Sequence, residues 1–289
     1  MKKHFFSLFL LLGPVLTSFA QLRLPQVSPA AVIKQTIGLT DIVVNYHAPG
    51  VKGRKIWGNL VPFGQVWRCG ANEATLISFT DAVKINGEPL PAGKYSLFMF
   101  PEKEGNWQVI FNSDTTLWGS EGYDAAKDIL RVPIQNQATS FHETLQYAFN
   151  DIQAKSGNLN LTWEKLNLSF TIAVEPFAKA LSNIKTDLSK VKPDDWSSYA
   201  QASQFLVQYN TEHELALNWI NKSLEIKENF FNNWVKAQLL AQKEEYQQAI
   251  NLTKKAMKLG QNDQKNYAPL AALMERSLEE WRVKSIAKS

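Results

Sequence analysis

The spacing of apolar residues changes near residue 175, and this change most constrains the fold. Before it, apolar and polar residues alternate in short runs rich in β-branched and aromatic side chains, a pattern typical of half-buried antiparallel strands. The clearest runs are residues 41–46, 75–79, 94–100, 107–111, 159–163 and 166–172, and Asn86-Gly87 fits a tight hairpin turn. Beyond it, apolar residues recur three and four apart, as in helices. The sequence therefore predicts an all-β sandwich or barrel-like domain of about nine strands, followed by an all-α domain.

The helical half contains two segments that align with an offset of 33 residues. The matched positions are His213, Ala216, Trp219 and Ser223 against Tyr246, Ala249, Leu252 and Ala256. Small residues seven apart on one helix, with an aromatic-lined partner helix, resemble the tetratricopeptide repeat. This resemblance implies helical repeats over residues 195–289, preceded by a linker helix over 175–194. Gly260 is expected to end one of these helices.

The first 20 residues have the pattern of a secretory signal peptide. Lys2 and Lys3 precede an apolar stretch over residues 5–16, and small residues flank Phe19 at the expected cleavage site. The apolar stretch is shorter than the ~20 residues that a membrane-spanning helix needs, and no later stretch qualifies. We expect export to the periplasm or the medium, with a mature chain that begins near Gln21 and has no transmembrane segment. An uncleaved N-terminal anchor is the alternative.

Charge and cysteine content exclude some partners and cross-links. The formal net charge is +4, or +2 without Lys2 and Lys3, and no basic run is present. We therefore expect no nucleic-acid partner. Cys69 is the single cysteine, so no intramolecular disulfide can form. Its side chain is either a small buried apolar group or a partly exposed thiol.

Residues 28–174 resemble an exported bacterial family known as domain of unknown function 2911. The matching phrases are residues 35–41 (QTIGLTD), 49–56 (PGVKGRKI), 60–68 (LVPFGQVWR), 70–74 (GANEA), 90–95 (LPAGKY) and 128–132 (DILRV). The resemblance implies an exported protein with a β domain and often a helical-repeat tail, and it implies no reaction. Cys69 stands where the family pattern leads us to expect Thr or a similar small polar residue, which argues against an essential thiol.

The most informative segment for function is the glycine-rich stretch of residues 50–74. Long ordered loops in compact domains are often functional. The candidate ligand-binding residues are Arg54, Trp67, Arg68, Asn72 and Glu73 in this stretch, with His47 before it and Trp118 elsewhere. Arginine offers paired donors for carboxylate or phosphate, asparagine an amide, and tryptophan an apolar or sugar-stacking wall. The alternatives are structural: Arg68 pairs with Glu73, Asn72 holds the loop backbone, and Trp118 packs over the core.

The sequence contains no standard catalytic, metal or cofactor motif. It has no Gly-x-Ser-x-Gly elbow, no His-Glu-x-x-His and no paired cysteines. The histidines after the leader, His47, His142 and His213, are far apart in sequence. We therefore predict no metal site and no cofactor, and we leave catalytic residues unassigned.

Three functional hypotheses remain open at this point. The first is an exported binding and interaction protein, suggested by the export signal, by the polar-aromatic loop of the β domain and by a helical repeat of the kind that docks a protein or peptide. The second is an enzyme acting on an envelope glycan or another polar substrate, with Glu73 as acid or base and Arg68 as an anion clamp. The third is a structural scaffold without a ligand site.

Overall fold

The structure, a computed structural model, describes residues 24–288. The predicted leader, residues 1–20, lies outside the described residues. The chain divides into two compact units, one ending at Pro176 and the other beginning at Phe177. The first unit is built from strands and the second from helices, as predicted.

The β unit contains one antiparallel sheet of nine strands within the described residues. The strands are β1 (Ala30–Ile37), β2 (Thr40–His47), β3 (Thr75–Phe79), β4 (Val83–Ile85), β5 (Glu88–Leu90), β6 (Gly93–Phe100), β7 (Trp107–Asn112), β8 (Asp128–Asn150) and β9 (Ser156–Val174). Their order in the sheet is β1-β2-β3-β6-β7-β8-β9-β4-β5. The predicted hairpin at Asn86-Gly87 joins β4 to β5, and both of its residues have positive φ.

The long strand β8 connects the two halves of this sheet. Its first part pairs with β7 as far as Ile134, and its second part pairs with β9 from Gln135 onward. Inward side chains of both halves belong to one apolar core, because Phe111 of β7 packs against Phe170 of β9 with ring centroids 5.8 Å apart. Alternation along β2, whose residues are in turn buried and half-buried, follows from this one-sided core.

The strands predicted over residues 159–163 and 166–172 are one continuous strand, β9. Glu164 has φ 55° at the point where the pairing with β8 is irregular. The buried face moves there from odd positions, ending at Trp163, to even positions, beginning at Leu168. An irregularity of this kind shifts the alternation without ending the strand.

A second, smaller core lies on the other face of β6 and β7. Phe98 and Ile110 are fully buried there together with Ala74. Val66 and Leu117 pack against them from two loops. This cluster fixes residues 64–74 and 113–124 on the same face of the sheet, next to the segment that carries the candidate residues.

The helical unit consists of six helices within the described residues: α1 (Phe177–Leu188), α2 (Trp196–Tyr209), α3 (His213–Ile226), α4 (Phe230–Gln242), α5 (Tyr246–Gly260) and α6 (Gln264–Lys288). No helix among these residues is long and apolar enough to cross a membrane. Small residues at the positions matched in sequence, such as Ala216 and Ala249, are fully buried where the helices pack. Gly260 ends α5 as predicted, but it has no left-handed φ. A side chain there would begin 2.3 Å from the ring of Tyr267, so close packing requires this glycine.

Candidate functional site

Backbone hydrogen bonds hold the 50–74 segment against the sheet. Near its start, the Val51 N–H donates to the Glu143 carbonyl of β8 over 2.7 Å. Further along, Trp67 and Met99 of β6 exchange two backbone hydrogen bonds of 2.8 and 2.9 Å. The segment is therefore an ordered part of the β unit, and its side chains have defined positions.

Four tryptophans form a cluster, two of them in this segment and one each on β7 and β9. Trp57 packs edge-on against Trp67, Trp107 and Trp163, with ring centroids 5.2 to 5.8 Å apart. Trp67 and Trp163 lie nearly parallel, with centroids 6.0 Å apart. The indole nitrogens of Trp57 and Trp163 are buried and have no hydrogen-bond partner among the described residues. Buried donors usually have a partner, so these two N–H groups are exceptions that need an explanation.

A cavity of about 190 Å³ is lined mainly by residues of the 50–74 segment. Three cationic residues line it, Lys52, Arg54 and Arg68, and no acidic residue does. Trp67 and Trp163 form part of its wall. The remaining lining residues are Val27, Ser28, Pro49, Gly50, Leu60, Val61, Gly70 and Ala71. The sequence-predicted residues Arg54, Trp67 and Arg68 therefore meet at one cavity.

The two arginines at the cavity differ in their contacts. Arg54 donates from Nε to the Val51 carbonyl over 3.0 Å and from Nη2 to the Gly50 carbonyl over 2.6 Å. These bonds fix its guanidinium but do not neutralise its charge. The Nε of Arg68 is buried and has no partner among the described residues. The Nη1 atom of Arg68 packs against Gly119, and a Cβ added to Gly119 would lie 3.2 Å from this nitrogen.

His47 and Glu73 form a separate contact beside the cavity. His47 Nδ1 lies 3.3 Å from Glu73 Oε2, and the Glu73 side chain is 51% exposed. Glu73 is thus placed against His47, whereas Arg68 forms no ion pair with it. The backbones of Glu73 and Trp118 form an isolated antiparallel bridge, and the Trp118 side chain is 63% exposed.

A comparison with protein families assigns the β unit. The family described as "Protein of unknown function (DUF2911)" matches residues 28–172, just over half of the chain. The chain belongs to this family. Neither a curated protein nor a solved structure matches it. The matched DUF2911 region contains the 50–74 segment and every residue lining the cavity except Val27.

The DUF2911 site brings together only part of the predicted set. His47, Asn72, Glu73 and Trp118 do not line the cavity. The Asn72 side chain reaches Gln26, with Nδ2 3.4 Å from the acceptor oxygen. Lys52 and Trp163 are cavity residues that the sequence analysis missed. Lys52 lies in the same glycine-rich segment as Arg54, so its position in the segment could have identified it. Trp163 is on β9, and no sequence pattern linked it to the loop.

Cys69 is a buried structural residue of the DUF2911 domain. Its side chain has no exposure, and burial raises the pKa of the thiol well above its usual value. Cys69 has φ 58°, a conformation that costs a non-glycine residue about 1 kcal/mol or more. Its carbonyl accepts hydrogen bonds from Thr75 Oγ1 and from the Tyr147 hydroxyl, each over 3.0 Å. These bonds hold the bend that separates Arg68 from Gly70, both of which face the cavity.

A larger cleft of about 410 Å³ lies over β8 and β9 of the DUF2911 domain, lined mostly by amide and hydroxyl side chains. Asn86 and Asn158 in this cleft are bonded to neighbouring groups, and no charged side chain lines it. None of its lining residues has a buried polar atom without a partner. The smaller cavity is the stronger candidate of the two, because charged side chains line it. No group of three or more His, Cys, Asp or Glu side chains within residues 24–288 could hold a metal ion.

The helical unit has its own groove, of about 370 Å³. Alternate helices α2, α4 and α6 provide most of its lining. Trp234 and Trp281 stack there with ring centroids 5.7 Å apart. Gln238 Nε2 donates to Gln204 Oε1 over 3.1 Å, and Gln242 Nε2 donates to the Val207 carbonyl. The Gln242 Oε1 is buried and has no partner among the described residues.

Proposed function

We propose that this protein is an exported binding protein whose DUF2911 domain holds a small ligand in the cavity lined mainly by the 50–74 segment. The observation that carries the proposal is the lining of this cavity. It combines three cationic side chains, Lys52, Arg54 and Arg68, with two tryptophans and contains no acidic residue. Charged donors and aromatic side chains around one concave space offer a small ligand both polar contacts and an apolar wall.

The enzyme hypothesis has weaker support. Its proposed acid or base, Glu73, contacts His47 and does not line the cavity. Glycoside hydrolysis normally uses two carboxyl groups on either side of the scissile bond, and no acidic residue lines this cavity. A scaffold role, the third hypothesis, gives no account of three cationic side chains around one concave space without an acidic residue in its lining.

The helical groove supports a second binding activity, the docking of an extended peptide by a tetratricopeptide-like array. Gln238 and Gln242 are four residues apart on α4, so their positions differ by about 6 Å along the helix. An extended peptide repeats every two residues, or about 6.6 Å, which suits a row of amides at this spacing.

Export remains part of the proposal. The pattern of residues 1–20 supports a cleaved leader, as set out above. Mass spectrometry of the protein purified from its native host is expected to give a mature chain beginning at Gln21. A chain that retains residues 1–20 would refute cleavage.

The ligand site is tested with a variant that fills the cavity. Ala71 lines the cavity, so Ala71→Leu is expected to occupy part of it, whereas Ala126→Leu at an exposed position is the matched control. Purified full-length protein is titrated with phosphate, acetate, acetamide and glucose, and tryptophan fluorescence and thermal stability are recorded. At least one probe is expected to bind the parent protein and the control but not Ala71→Leu. Unchanged binding by Ala71→Leu, or no binding of any probe at about 10 mM, would overturn the proposal.

The peptide groove is tested separately. Peptides selected by phage display on the full-length protein are measured by fluorescence polarisation against Gln242→Ala and against Gln247→Ala, an exposed glutamine on α5 outside the groove lining. Only Gln242→Ala is expected to weaken binding. Equal affinity for both variants would show that the groove is not the docking site.

A further inference from the structure

From the charges around the DUF2911 cavity we infer that its ligand is a small oxyanion, a molecule that presents a carboxylate or phosphate group. This inference rests on the ligand site proposed above and names the chemical class of its occupant. Lys52, Arg54 and Arg68 line the cavity without an acidic neighbour in the lining. None of the three forms an ion pair with a carboxylate among residues 24–288.

Two carboxylates lie near the cavity residues without pairing with the cations. Glu143 Oε1 accepts the backbone N–H of Lys52 over 2.9 Å, but Glu143 does not line the cavity. Glu73 lies against His47. Concentrated charge of one sign in a concave, partly apolar site raises the local concentration of the opposite ion. The cavity is therefore electrostatically suited to an anion.

The hydrogen bonds of the cavity residues also favour an anion. Arg54 is fixed by its bonds to two backbone carbonyls, so little side-chain entropy remains to be lost when an anion binds. Arg68 forms no ion pair with a carboxylate among the described residues, so its guanidinium charge is not neutralised by one. Arginine and lysine side chains donate hydrogen bonds and cannot accept them, so a partner bound to them must be an acceptor. An oxyanion supplies several acceptor oxygens and the opposite charge together.

The size of the cavity limits what enters it. The cavity volume is about 190 Å³. Drug-sized ligands occupy pockets of about 300–1,000 Å³, so this cavity accepts a small acid or the acidic end of a larger one. The parallel faces of Trp67 and Trp163 give the carbon skeleton of such an acid an apolar wall.

The inference is tested by isothermal titration of the full-length protein with acetate, succinate and inorganic phosphate, and with acetamide as the uncharged counterpart of acetate. We expect at least one anion to bind and acetamide to bind at least tenfold more weakly. Raising the salt concentration is expected to weaken the anion and leave acetamide unchanged. The comparison of carboxylates with phosphate identifies which oxyanion the site prefers.

Charge-removing variants locate the effect. Arg68→Gln is expected to weaken anion binding about tenfold or more, because a charge-assisted hydrogen bond is lost. Lys52→Gln alters an exposed side chain and serves as a second test should Arg68→Gln fail to fold. Lys94→Gln removes a charge from an exposed position on β6 outside the lining and is expected to bind like the parent.

The outcomes separate the two proposals. Binding of acetamide as strong as that of acetate, or unchanged anion affinity in both Arg68→Gln and Lys52→Gln, would overturn the oxyanion inference and leave the ligand site intact. Failure of every probe at about 10 mM would remove both. Anion binding that Ala71→Leu does not affect would place the anion elsewhere on the protein.

Discussion

The two hydrogen bonds to the Cys69 carbonyl should be strongly coupled in their contribution to stability. Thr75 and Tyr147 are buried, and each donates to this one carbonyl. Thr75→Val or Tyr147→Phe removes one bond and leaves the other, at a cost of about 1 kcal/mol each. The double variant leaves a buried carbonyl without a donor, which adds about 1–3 kcal/mol of desolvation cost. The combined loss should therefore exceed the sum of the single losses.

The single cysteine provides the assay. Cys69 is fully buried, so a thiol reagent reacts with it only when the β unit opens, and the labelling rate under native conditions reports the free energy of that opening. Each single variant should label about fivefold faster, since 1.4 kcal/mol corresponds to a factor of ten. The double variant should label faster than the product of the two factors.

A matched control defines the background. The Tyr95 hydroxyl donates to the Pro91 carbonyl and does not share the Cys69 acceptor, so Tyr95→Phe combined with Thr75→Val should be additive. If the stability losses of Thr75→Val and Tyr147→Phe also add within about 0.5 kcal/mol in the double variant, the two hydrogen bonds are independent. That result would refute the extra cost assigned to an unpaired Cys69 carbonyl.

Three further predictions concern single positions. In Gly70→Ala the new Cβ would lie 2.9 Å from Thr75 Oγ1 and 3.1 Å from a backbone carbonyl. We expect a loss of about 1–3 kcal/mol in the free energy of unfolding and faster labelling of the Cys69 thiol. Labelling at the rate of the parent protein would contradict this. Asp195 caps α2, so Asp195→Ala should cost about 0.5–2 kcal/mol in helical circular-dichroism melts, whereas Asp195→Asn should lose little; equal melting of both would argue against the cap. Hydrogen bonds, first that from Lys127, lower the pKa of Asp114 to about 2. Because this folded-state pKa is depressed, the stabilisation is present above about pH 4 and is lost as the pH falls toward 2, so hydrogen exchange of residues 113–127 should accelerate there in the parent but not in Asp114→Asn.

The order of strands and helices was predictable because the hydrophobic period changes once, near residue 175. What the sequence concealed is the continuity of the longest strands. Glu164 shifts the alternation of β9 by one position, and such a shift looks like a strand boundary in sequence. The middle of β8 is largely exposed over Gln135–Thr144, so it contains few apolar residues from which a period could be recognised.

The candidate site was predictable to the level of its loop and no further. Glycine content and clustered polar and aromatic residues identified the 50–74 segment, and Arg54, Trp67 and Arg68 meet at its cavity. Cys69 and Asn72, which lie between Arg68 and Glu73, both have positive φ, so the backbone between the two charged residues does not follow a regular strand. Positive φ outside glycine is rare and has no reliable sequence signal.

The sharing of β8 between both halves of the sheet has a consequence for how the β unit is made. The short strand β4 pairs with the end of β9, with Ile85 opposite Ile172, so its partner is among the last residues of the unit to be synthesised. Such distant pairings are slow to form, and neither half of the sheet is complete without β8. Assembly of the β unit should therefore be a late, all-or-none event, and a chain ending before residue 128 should not acquire protease resistance.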